Sequence, residues 1–89
     1  MTKLVFAESY FETVGQLTSR RLQDRLERLL ELMQDVPTFG STNVRDSLKQ
    51  EFGPYCITAD LSPFDLVFEY DPETDIANVY GIVHQRSIR

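Results

Sequence analysis

The chain has 89 residues, 42% hydrophobic and 26% charged, which supplies one core but not the length for a second, so residues 1–89 read as a single globular domain. A formal net charge of -5 argues against a surface that grips phosphate throughout, because each such contact is usually a Lys or Arg. The lone Cys56 excludes an internal disulfide, and the single histidine leaves no zinc-ligand set, so neither a metal nor a cofactor is expected.

The first element is a short strand over Lys3-Leu-Val-Phe-Ala7, where β-branched and aromatic residues cluster. Residues 1–8 meet an acid before any signal-like stretch develops, and no apolar run reaches the roughly 20 residues that cross a bilayer, so a cytoplasmic protein away from membranes is expected. Glu8-Ser9 opens a helix whose Tyr10, Phe11, Val14 and Leu17 recur at helical spacing, with Gly15 weakening its end. Thr18-Ser19 caps a second helix over residues 20–34, stopped by Pro37. There Leu22, Leu26, Leu29, Leu30 and Met33 form a core stripe, and Arg21, Arg25 and Arg28 form a solvated face. Arg20, Asp24 and Arg28 can pair at i, i+4.

Residues 37–43 have loop chemistry, and residues 44–50 suit a short helical turn that Gly53-Pro54 ends. Three strands follow over residues 55–61, 64–70 and 76–83, joined by Ser62-Pro63 and by Asp71-Pro-Glu-Thr-Asp75, and they read as an antiparallel meander. Tyr55, Ile57, Ala59 and Leu61, then Phe64, Leu66, Phe68 and Tyr70, place apolar residues on one face. The other face is mostly polar, the pattern of a sheet with helices on one side and water on the other. The last strand sets Ile76, Asn78, Tyr80 and Ile82 against Ala77, Val79, Gly81 and Val83; apolar on both sides, it is expected in a central or covered position. From Glu51 to Asp75 there are seven acids and no base. Such an acidic edge suits a basic partner segment, or serves simply to keep sheet edges from pairing.

The order strand, helix, helix, three-strand meander, with a Gly-x-Tyr before the meander, Phe-Asp-Leu-Val-Phe-Glu-Tyr at residues 64–70 and Val83-His84-Gln85-Arg86 at its end, resembles the RelE/ParE toxin superfamily. The resemblance spans nearly the whole chain and implies an α+β fold with two helices on one face of a small, mostly antiparallel sheet in β-α-α-β-β-β order. It further implies the toxin half of a bacterial type II toxin-antitoxin pair with a cognate antitoxin as partner. Its target would be messenger RNA on the ribosome in the RelE branch or DNA gyrase in the ParE branch, the closing Val-His-Gln-Arg resembling the latter.

The RNA-cutting branch carries cations on its first two meander strands, and here Cys56, Thr58 and Asp65 stand at those positions. Two like charges about 4 Å apart repel by roughly 4 kcal/mol at an effective dielectric of about 20, so a carboxylate there opposes a scissile phosphate. The chain also ends at Arg89 without the terminal Tyr or helix of some relatives. Whether it is an enzyme stays open, and a non-toxic RelE/ParE-fold module serving in antitoxin binding or repression is the alternative.

His84 is a candidate proton carrier, its ordinary pKa being about 6.5, or else a strand-end residue with a local hydrogen bond. Arg45, Lys49, Arg86 and Arg89 are candidates for one anion or nucleic-acid site, or else solvated charge. Cys56 is read as a structural strand cysteine against the alternative of a reactive thiol.

Overall fold

In the computed structural model, which describes residues 1–86, the elements run β1 (Lys3–Phe6), α1 (Glu8–Thr13), α2 (Arg20–Asp35), α3 (Asp46–Phe52), β2 (Ile57–Leu61), β3 (Phe64–Asp71) and β4 (Ile76–His84). A 3-10 turn over Val14–Gln16 carries α1 towards α2, consistent with the weak helix signal around Gly15. The sheet order is β1-β4-β3-β2, with β1 parallel to β4 and the meander antiparallel. This is the expected α+β architecture. β4 is central, in line with its two apolar faces.

The α2 stripe behaves as its spacing predicts. Ser19 Oγ accepts from Leu22 N at the helix start, and Leu26 and Met33 are buried with Leu22, Leu29 and Leu30 packed beside them. They meet Ile57, Ala59, Leu61, Leu66, Phe68, Ala77, Val79 and Ile82 from the sheet, and Phe39 stacks on Phe68 with ring centroids 5.4 Å apart. Burying one side chain the size of Phe68 or Met33 stabilises the fold by about 1.5–3 kcal/mol.

The opposite face departs from the expectation of an open, wet surface. α3 lies across it, and Val44, Leu48, Cys56 and Val67 form a second buried cluster with Phe52, Tyr80 and Val83 at its margin. Phe52 stacks on Tyr80 at 5.7 Å. The helix lies on this face because Val44, Leu48 and Phe52 follow a spacing of four and so share one side.

A bulge in β4 supplies the other departure. Val67 pairs with Gly81 but the next residue, Phe68, pairs with Val79, leaving Tyr80 as an extra residue. The alternation therefore changes phase within the strand. Ile82 joins Ala77 and Val79 in the main core, while Tyr80 and Val83 belong to the second cluster, so Ile82 does not share a face with Asn78 and Tyr80.

β1 stops at Phe6, which leaves the distal half of β4 without a strand on that side, and α1 takes its place. Ser9 Oγ donates to Tyr80 O, Thr13 Oγ1 accepts from Ile82 N at 2.9 Å, and Gln16 Nε2 donates to Ile82 O at 3.1 Å. Backbone groups that a fifth strand would have paired are satisfied by side chains from one helix. Gly81 permits that approach: a Cβ there would stand 2.8 Å from Thr13 Oγ1.

Candidate functional site

Two short-range facts build the site. Ser62-Pro63, joined by a cis peptide bond, links β2 and β3 so that Leu61 pairs with Phe64; Asp60 must then stand opposite Asp65. Phe64 also pairs with His84 on β4, which brings Gln85 over the same hairpin.

Two carboxylates directly opposite on a sheet repel. Here Gln85 lies between them: its Nε2 is 2.8 Å from Asp60 Oδ1, 3.1 Å from Asp65 Oδ1 and 3.2 Å from Phe64 O, two hydrogens shared over three acceptors. An arginine closes each end. Arg25 of α2 lies 3.6 Å from Asp60 Oδ2, and Arg45 at the start of α3 lies 3.4 Å from Asp65 Oδ2 while donating from Nη1 to Gln85 O at 3.0 Å. The chain of groups runs guanidinium, carboxylate, carboxamide, carboxylate, guanidinium. The Ser62 hydroxyl, donating to Asp60 at 2.6 Å, is the largest influence holding the Asp60 carboxyl below its ordinary pKa, followed by Gln85.

Of the residues expected at an anion site, Arg45 reaches the end of β4, bonding between His84 and Arg86 at Gln85. Arg86 is exposed, and its backbone N–H donates to His84 Nδ1 at 3.1 Å. With Nδ1 an acceptor, the neutral ring carries its proton on Nε2, and the ring meets Phe64 edge-on at 5.2 Å. Lys49 belongs elsewhere. It sits one turn along α3, close enough to Cys56 to influence it together with Glu69, near the other end of β3. Arg89 lies outside the described residues.

Cys56 is buried at 2% exposure, and that burial pushes its thiol up, Glu69 adding to the rise while a backbone hydrogen bond and Lys49 oppose it. This is the environment of a structural thiol. Asp65, read from the sequence as a carboxylate facing a phosphate, instead faces Arg45 and Gln85. Asp60, Gln85 and Arg25 were absent from the expected site, although Asp60 and Asp65 flank the two-residue turn symmetrically and that symmetry alone dictates their pairing.

No helix among the described residues is long and apolar enough to cross a membrane. No family model matches the sequence and no curated protein matches it. Solved structures do. A chain of the intact E. coli RelBE toxin-antitoxin complex is 17% identical with a TM-score of 0.70, covering 94% of this chain and 96% of that one. The isolated E. coli RelE toxin is 16% identical with a TM-score of 0.69, covering 94% of this chain and 84% of that one. A chain of the RelBE2 toxin-antitoxin complex from Mycobacterium tuberculosis is 14% identical with a TM-score of 0.67, covering 93% and 96%. At these identities the likeness concerns architecture, and the chain has a RelE-like toxin fold.

Proposed function

We propose that this protein is the toxin-fold component of a bacterial type II toxin-antitoxin module, a single cytoplasmic domain that binds a macromolecular target and is held in check by a cognate antitoxin. The observation that carries this reading is a likeness over nearly the full length of both chains to RelE and to RelBE complexes. Fold does not by itself transfer activity, so the mechanism rests on the site.

The site favours binding over cleavage. Stabilising a 2′-OH attack needs cations aimed at developing charge. Arg45 is instead engaged by Asp65 and by Gln85 O, and His84 Nδ1 accepts from Arg86 N. Residues that would serve messenger-RNA cleavage, if that is the activity, are His84 and Arg86 at the end of β4. A gyrase-directed activity would use the same exposed end as a contact surface. The self-paired Asp65 supports the second reading, a non-toxic module that retains antitoxin binding or repression.

Induced expression of the chain without antitoxin, with protein and DNA synthesis labelled in parallel within minutes, separates these readings. A prompt fall in protein synthesis that His84→Ala and Arg86→Ala abolish supports RNA cleavage. A fall in DNA synthesis supports gyrase. Undisturbed growth with high soluble yield supports the non-toxic module.

A further inference from the structure

We propose that Arg45 and Gln85 form an oxyanion site whose resting occupant is the chain's own Asp65 carboxylate, so that phosphate binding here is competitive with an internal ion pair. The carboxylate makes the contacts an external oxyanion would make, Oδ2 at 3.4 Å from Arg45 Nη2 and Oδ1 at 3.1 Å from Gln85 Nε2. The guanidinium is also oriented by its bond from Nη1 to Gln85 O, so it is held in place by more than the carboxylate it faces. A cavity of about 540 Å³ lined by Val44, Arg45, Asp46 and Ser47 lies beside it and gives a ligand room to reach the cation. Asp46 in that wall is a further negative charge that disfavours an anion in the resting state.

The pair is weak enough to be displaced. It makes one contact at each partner, and the Arg45 side chain is 44% exposed. Exposed ion pairs of this kind compete with solvent and salt on nearly equal terms. The ligand class is a phosphate oxyanion, free or in a phosphodiester backbone, because a planar guanidinium beside an amide donor recognises that chemistry.

Asp65→Asn tests this directly, since it keeps an oxygen to accept from Gln85 and removes only the charge. Inorganic phosphate titrated into the full chain, followed by the Arg45 side-chain nitrogen resonance, is expected to bind the variant about tenfold more tightly than the parent. In Asp65→Asn/Arg45→Gln the gain should vanish. A short single-stranded oligonucleotide in a parallel arm distinguishes the source: a gain for it as well as for phosphate supports a backbone-binding site, and a gain for phosphate alone supports a small-anion site. Equal phosphate affinity in parent and Asp65→Asn overturns the proposal, as does a gain that survives loss of Arg45. Should Asp65→Asn fail to fold, Asp65→Ser takes its place; if neither folds, Asp65 is a structural residue and the proposal falls. These outcomes are independent of toxicity, so growth arrest or its absence decides a separate question.

Discussion

Asp60 and Asp65 form a cross-strand pair of carboxylates reconciled by one carboxamide, that of Gln85, which donates to both. Without it the hairpin sets two like charges against each other at the end of the sheet. The same side chain bonds Phe64 O, so it also ties the end of β4 to the β2–β3 hairpin.

Gln85→Ala is therefore expected to destabilise the fold by about 1–2 kcal/mol, since hydrogen bonds to charged groups are lost and carboxylate repulsion is exposed. Gln85→Glu, which adds a third carboxylate, should cost more. Urea unfolding of the parent and both variants measures the order. A Gln85→Glu protein as stable as the parent would contradict this account of the network.

Acid should weaken the protein through two aspartates. Asp60 is held below its ordinary pKa first by Ser62 and then by Gln85, and Asp75 first by Thr2 and then by Tyr70. A carboxyl whose folded pKa lies below its unfolded value stabilises the fold above the unfolded pKa of about 4, and that contribution is lost as pH falls through the folded value. The urea midpoint should thus drop as pH is lowered from 5 through about 4 and below. Thr2→Val should flatten the Asp75 share of the slope and Ser62→Ala the Asp60 share. Slopes identical to the parent in both variants would show that these hydrogen bonds do not set the acid response.

At the other end of the sheet, Thr13→Val should cost about 1–3 kcal/mol, because it leaves Ile82 N–H without its acceptor in a partly buried position. Thr13→Ser, which restores a hydroxyl, should recover most of the loss. Gly81→Ala is expected to destabilise by a similar route, its Cβ being forced against Thr13 Oγ1. Amide hydrogen exchange at Ile82 gives a local readout: protection unchanged in Thr13→Val would remove that bond from the argument.

The Cys56 thiol should resist modification. Buried beneath α3 and pushed up by that burial, it is expected to react with an aromatic disulfide reagent only as fast as the chain opens. Leu48→Ala, which removes part of the cover, should raise the rate. Immediate stoichiometric labelling of the folded parent would return Cys56 to the list of reactive candidates.

Much of the architecture follows from local patterns. The leucine stripe of α2 has a helical period, its start carries a capping Ser19, and β2 and β3 alternate cleanly, so their faces and the turn between them are properties of short segments. Those signals survive folding because burial on one face reinforces the period that produced them. The pairing of Asp60 with Asp65 is also local, being dictated by the two-residue turn. What only the tertiary structure decided involves groups distant in sequence. The bulge at Tyr80 arises where β1 gives way to α1 beside β4, and the strand's own alternation carries no mark of it. α3 covers the second sheet face because Val44, Leu48 and Phe52 find Cys56, Val67 and Tyr80 there, a match that a segment this short cannot announce alone. The meeting of Arg25, Asp60, Gln85, Asp65 and Arg45 has the same origin: charge and hydrogen-bonding capacity belong to each residue, but their partners depend on which strands and helices the core brings together.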